Sequence, residues 1–234
     1  MSASTWSSDP VNRRRTLTSV SRWIGEPSTL PCQAVQQTFG QGGVQDLLKD
    51  DRTTTVVVSS AKFEQHNQYV LKRYNARNLW HTLSRSVRKT RAQRCWQMSF
   101  AFANANINVA QPLFMLEQRA LGFRGTAFFA ALQVPGQELL GLFAHLSREE
   151  QGRVVEAVQN LFAALERHAL SHGDMKASNL LWDSQRLWVI DLDAAQRHRS
   201  ELSWRKANRK DRQRFLKNWH GQPDLLDQFC FLDY

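Results

Sequence analysis

The chain has 234 residues, 42% of them apolar and 22% charged, with 13 Phe and 8 Trp. That is enough for one domain, or for two small lobes sharing a cleft, and it excludes a chain disordered over most of its length. The formal charge of +10 points to polyanionic partners without choosing among nucleic acid, an anionic membrane surface and a phosphorylated substrate.

Residues 1–45 are rich in Ser, Thr, Gln and Gly, with Pro10, Pro27, Pro31 and the cluster Gly40-Gln41-Gly42-Gly43. This composition predicts an irregular, loosely packed arm ahead of a folded domain at 46–234. Thr54–Ser59 is β-branched and Tyr69–Tyr74 alternates, so the two read as an antiparallel strand pair turning near 62–67. Residues 79–103 read as a helix, with Leu83, Val87, Trp96, Phe100 and Phe102 among basic positions. Eight Lys or Arg and no acid stand between Lys72 and Arg94. Strands are expected at 112–118 and 126–134, split by a turn at Gly122-Phe123-Arg124-Gly125, and Pro135-Gly136 then breaks the chain.

Ser147-Arg148-Glu149-Glu150 has capping-box spacing, and Val154, Val158, Leu161, Phe162 and Leu165 follow on one face, predicting a helix over 148–170. A polar loop at 171–179 leads into a hairpin of 180–182 and 187–190, turning through Asp183-Ser184-Gln185. The tail 203–219 reads as a basic helix anchored by Trp204, Phe215 and Trp219. Nine Lys or Arg stand between Arg197 and Lys217, against Glu201 and Asp211. The fold class is therefore α+β, with a small antiparallel sheet lobe at about 46–134 feeding a shortened helical lobe at about 135–234.

Cys32, Cys95 and Cys230 lie far apart with no paired spacing, as in a protein of a reducing compartment. No run reaches the roughly 18–20 apolar residues of a membrane span. Thr16–Pro27 is too polar to continue Arg13-Arg14-Arg15 as a signal peptide. The expected location is the cytoplasm, free or peripheral on a membrane.

The richest segment is His172-Gly173-Asp174-Met175-Lys176-Ala177-Ser178-Asn179, followed by Asp191-Leu192-Asp193. Phosphoryl transfer needs a base for the acceptor hydroxyl, cations on the phosphates, and carboxylate or amide ligands for magnesium. Asp174 can take the hydroxyl proton, Lys176 can offset phosphoryl charge, and Asn179 offers an amide oxygen to a metal. The hairpin carries Asp191 back towards Asn179. Strand alternation would turn Asp193 the same way, as a further metal ligand or an orienter. His172 suits loop support rather than chemistry.

This arrangement resembles a kinase catalytic loop, in which D-x-K-x-x-N precedes a D-x-x metal motif, and the order of elements resembles the two-lobed protein-kinase-like fold. Lys72, in Val70-Leu71-Lys72-Arg73-Tyr74, resembles the strand lysine that clamps the α- and β-phosphates of ATP. Ala127–Gly136 sits where a kinase hinge presents backbone to adenine, with Ala131 to Gln133 the expected contact. Only 41 residues follow Asp193, which disfavours the long lobe that a peptide-directed kinase needs.

Within such kinases the chain resembles the bacterial lipopolysaccharide kinase family, which includes Kdo kinases and core heptose kinases. The likeness runs through Tyr69–Tyr74, Arg91–Trp96, Asn108–Leu113, His172–Leu181, Val189–Ala194, Arg197–Ser200 and Asp211–Trp219, spanning about 65–220. The resemblance implies ATP- and Mg2+-dependent phosphorylation of a heptose or Kdo in the lipopolysaccharide inner core, at the cytoplasmic face of the inner membrane. By position it implies Asp174 as catalytic aspartate, Asn179 and Asp191 as metal ligands, and Lys72 as the nucleotide lysine. The basic charge agrees with a lipid-anchored, phosphate-bearing acceptor and with contact to an anionic membrane. Nucleic acid is disfavoured, since no groove-reading module is present. Two positions depart from the pattern: Lys49–Thr55 holds no glycine, and no acid stands between Lys72 and Glu117. Both departures would also suit a kinase-fold binding or regulatory protein without turnover.

Overall fold

The computed structural model describes residues 12–15, 19–23, 31–75, 89–120 and 123–233. In chain order the elements begin β1 Asn12–Arg15, β2 Ser19–Trp23, α1 Pro31–Gly40, β3 Val44–Asp50, β4 Thr54–Ser59, β5 Tyr69–Tyr74 and α2 Arg91–Ala103. They continue with β6 Asn108–Val109, β7 Pro112–Ala120, β8 Phe123–Ala131, β9 Gln137–Glu138, α3 Leu139–Leu142, α4 Arg148–Arg167 and β10 Leu170–Ser171. The last are β11 Leu180–Trp182, β12 Leu187–Val189, β13 Gln196–Arg197, α5 Glu201–Leu216 and α6 Pro223–Leu226. Two compact units result: a strand unit of Ser7–Gln97 with Gln111–Gln133, and a helical unit built mainly from Met98–Ala110 and Val134–Tyr234.

The strand unit is one antiparallel sheet of seven strands in the order β1-β2-β7-β8-β5-β4-β3. β4 is β-branched because it lies inside the sheet, where stiff side chains pack on both faces. Tyr69 and Leu71 of β5 are fully buried on one face, together with Val57, Phe63, Phe114 and Phe128, and Ala34 and Val35 of α1 belong to the same core. The opposite face carries Lys72 and Tyr74. There Arg91 donates to Thr54 Oγ1 at 3.0 Å, and its guanidinium lies 5.1 Å from the Tyr74 ring centre.

Several expectations need correction. The described residues of the expected irregular arm are largely regular: β1 and β2 extend the sheet beyond β7, and α1 buries Ala34, Val35 and Thr38. Its small, sparse apolar residues hid a regular helix. α2 begins at Arg91, where the Thr90 hydroxyl accepts the Gln93 N–H at 3.0 Å as an N-cap. The expected helical residues 79–88 lie outside the described residues, as does Gly122 of the expected turn. β8 ends at Ala131, short of the expected 134, and the Leu132 N–H makes one further bond in the same register, to Gln111 O at 2.9 Å.

In the helical unit, Ser147 Oγ accepts the Glu150 N–H at 3.2 Å and starts α4, which buries Val154, Val158, Leu161, Phe162 and Leu165. α4 stops at Arg167 rather than 170, because Ala169 adopts φ 50° and Leu170–Ser171 pair with β13. β11 and β12 form the expected hairpin, with Leu180 opposite Val189. Asp183 Oδ1 closes its turn by accepting the Gln185 and Arg186 N–H groups at 2.9 and 2.6 Å. α5 is fastened by buried Phe215, and Trp219 lies just beyond it. The rings of Phe143, Phe215, Trp219 and Phe229 cluster with neighbouring centres 4.9 to 6.0 Å apart, contacts each worth about 0.5–1.5 kcal/mol beyond their burial.

Candidate active site

The loop from Ser171 to Asn179 is irregular and must find partners for its backbone outside regular structure. Gly173 is required there: its φ is 78°, and a Cβ would lie 2.6 Å from Ala194 O. The partner is Asp211 of α5, only 1% exposed. Its Oδ2 accepts the His172 N–H at 2.7 Å, and its Oδ1 accepts the Gly173 N–H at 2.9 Å. Burial pushes the Asp211 carboxyl above its ordinary range, against the pull of the Gly173, His172 and Met175 N–H groups and the nearby imidazole. This residue was not singled out from sequence. The signal was present, as an acid inside a strongly basic helix.

His172 is completely buried and structural, as expected. Its Nε2 lies 2.9 Å from Ile190 O, so it carries the proton, and Nδ1 accepts the Asp174 N–H at 3.3 Å. The loop is thereby tied both to α5 and to the strand end at 190.

Asp174 is partly exposed, at 24% of its side chain, and meets two cations. Lys176 Nζ lies 2.9 Å from its Oδ2, and Arg214 Nη1 of α5 bonds its Oδ1. Asp174 and Lys176 were both singled out from sequence, though not as an ion pair; Arg214 was not singled out. Asn179 donates through Nδ2 to Asp174 O at 2.8 Å, which leaves its amide oxygen as the acceptor end. The Ile190 N–H binds Asn179 O at 3.0 Å, so Asp191 follows immediately beyond the residue held against Asn179.

The expected orientation of Asp193 needs correction. β12 stops at Val189, Asp191 adopts φ 61° and ψ 57°, and Leu192–Ala194 form a 3-10 turn. Alternation therefore does not relate Asp191 to Asp193, which is buried at 8% exposure. Asn179 and Asp191 present hard oxygen donors of the kind Mg2+ takes beside phosphate oxygens. Among the described residues no group of three or more His, Cys, Asp or Glu could hold a metal by itself. A magnesium ion shared with a nucleotide needs no such group.

In the strand unit, Lys72 is half-buried on β5, in register with Val56 and Phe129. Phe129 stands opposite Met115, so Glu117, two residues further along β7, shares that face of the sheet. Glu117 is 4% exposed and accepts from the Thr90 hydroxyl. The face of Lys72 thus includes an acid from a strand, although α2 contributes none. Ala131 ends β8 between Val70 and Pro112, and Gln133 is exposed beyond it.

The turn between β3 and β4 differs from a phosphate cradle. Asp51 Oδ1 accepts the Thr53 and Thr54 N–H groups at 2.7 and 2.8 Å and the Thr53 hydroxyl at 2.9 Å. These bonds, with that from Thr53 N–H foremost and Lys49 next, hold the Asp51 carboxyl well below its usual range. The Thr55 hydroxyl donates to Asp50 Oδ1 at 2.8 Å. The hydroxyls of Thr53 and Thr55 thus spend their donors on the turn's own acids.

Comparisons with known proteins bear on the family and the fold. Residues 40–225 match the lipopolysaccharide kinase (Kdo/WaaP) family. A solved structure described as WaaP in complex with acyl carrier protein superposes with a TM-score of 0.60 at 17% identity, covering 90% of this chain and 88% of that one. None of the curated proteins matches the chain. The structural likeness shows the protein-kinase-like fold.

Proposed function

The chain belongs to the lipopolysaccharide kinase (Kdo/WaaP) family, and from that premise we propose that this kinase moves the γ-phosphoryl group of ATP to a sugar hydroxyl of the lipopolysaccharide inner core, a heptose or Kdo. The observation that carries the reading is Asp174, partly exposed in a loop whose backbone is clamped by buried Asp211. Asp174 accepts the proton of the acceptor hydroxyl as that oxygen bonds to the γ-phosphorus. The bond from phosphorus to the bridging oxygen breaks, and ADP leaves with the electron pair. Lys176 offsets the phosphoryl charge.

Mg2+, when bound, neutralises phosphate charge, and Asn179 and Asp191 are its proposed holders, with Asp193 supporting them from the buried side. Lys72 is the proposed nucleotide-phosphate residue, with Glu117 as its counter-charge, and the backbone of Ala131 to Gln133 receives adenine. Among the described residues no helix is long and apolar enough to cross a membrane. With a charge of +10, peripheral contact with an anionic bilayer is the proposed route to a lipid-anchored acceptor.

Release of ADP with purified core oligosaccharide, with and without Mg2+, tests the reading. Wild type should consume ATP only when both are present, and Asp191→Asn should need more Mg2+ for half-maximal rate. Intact ATP binding without turnover under any divalent metal would favour the non-catalytic alternative.

A further inference from the structure

Both carboxylate oxygens of Asp174 are engaged in this structure, Oδ2 by Lys176 and Oδ1 by Arg214. Each oxygen thus already accepts from a charged donor, and an acceptor hydroxyl competes with these cations for the base. Lys176 is held close by its own backbone, whose N–H binds Asp174 O at 2.8 Å. Arg214 arrives from α5 on a long side chain that remains 50% exposed. Its backbone is anchored, because Asn218 Nδ2 binds Arg214 O at 2.9 Å and Phe215 O at 2.7 Å. Only the side chain is therefore placed to swing. Lys210 and Lys217, about one helical turn to either side, are exposed as well.

A neutral hydroxyl offers the guanidinium nothing in exchange for a charge-assisted bond worth about 1.5–3 kcal/mol. An anionic group does, and the planar guanidinium fork fits phosphate or carboxylate. We propose that Arg214 selects acceptors bearing an anionic group beside the reacting hydroxyl, exchanging its ion pair with Asp174 for one with that group and so freeing the base. This rests on the phosphotransferase reading above and names a property of the acceptor within it.

The test compares three acceptor preparations: intact core oligosaccharide, the same after phosphatase treatment, and the same with its carboxylates methyl-esterified. For wild type one treatment should raise the acceptor KM by about 10- to 100-fold, the equivalent of the lost bond. That treatment identifies the anion as phosphate or carboxylate. Arg214→Gln, which has no ion pair to give up, should show no rise in KM on that treatment, while Arg214→Lys should lie between. Thermal unfolding of each variant checks that the exposed position leaves the fold intact. If neither treatment changes the wild-type KM, or if Arg214→Gln keeps the wild-type preference, the inference is overturned while the phosphotransferase reading stands. No transfer by wild type to any preparation overturns both.

Discussion

Replacing Asp211 by Asn keeps the size of the side chain but removes one of its two acceptors. In the wild type, Oδ2 takes the His172 N–H at 2.7 Å and Oδ1 takes the Gly173 N–H at 2.9 Å, in a site 1% exposed. The amide can satisfy one of these and must point its own NH2 at the other. With the oxygen at the Oδ2 position the Gly173 N–H keeps only its longer 3.2 Å bond and faces the amide NH2, and both bonds lose their charge assistance, for a total of about 2–4 kcal/mol. That is a large part of a typical domain stability of about 5–15 kcal/mol. At about 2–4 °C per kcal/mol, the midpoint should fall by roughly 4–16 °C. Urea and thermal unfolding measure the loss directly, and turnover should fall more than nucleotide affinity because the loop carrying Asp174 slackens. An Asp211→Asn protein with the wild-type urea midpoint and slope would refute the claim that this carboxylate holds the loop.

Gly173→Ala forces an L-residue to φ 78° with its Cβ 2.6 Å from Ala194 O. Strain and clash together should cost about 1–3 kcal/mol or more and suppress turnover; an unchanged Tm with full activity would count against the loop geometry. His198 supplies a pH test. Burial disfavours its imidazolium, so its pKa lies below 6.5 in the fold, although the charge of Asp211 pulls the other way. The unfolded chain therefore takes up this proton first, so the contribution is complete above about pH 6.5 and is lost as pH falls through the folded pKa. Wild type should lose more Tm than His198→Gln between about pH 7.5 and 5.5, and parallel pH dependences would disprove the assignment.

The candidate loop was legible because its polar residues are local in sequence. Asp174, Lys176 and Asn179 lie within six residues, and a three-residue strand pair brings the chain back to Asp191. β4, β5 and α4 were legible through β-branching, alternation and a capped apolar stripe. The supports from α5 were not, since Asp211 and Arg214 meet the loop across roughly forty residues of sequence and their packing is tertiary. α1 escaped notice because glutamines surround its few buried residues, with Gln33, Gln36 and Gln37 on its outer side. Asp193 was misjudged because the period of a strand was carried past Val189, where the backbone turns left-handed at Asp191. The β3–β4 turn was judged by its missing glycines. Its controlling feature is Asp51, which closes the turn on itself.

Asp174 is the proposed base for transfer to a core sugar, on which the other roles depend. Mass spectrometry of purified inner-core oligosaccharide, incubated with ATP, Mg2+ and either wild type or Asp174→Asn, tests that claim most directly. The prediction is one added phosphate with wild type and a rate lower by about 10²–10⁴-fold with Asp174→Asn, with nucleotide affinity nearly unchanged. Equal phosphorylation by the two proteins, or an unmodified oligosaccharide after incubation with wild type, would contradict it.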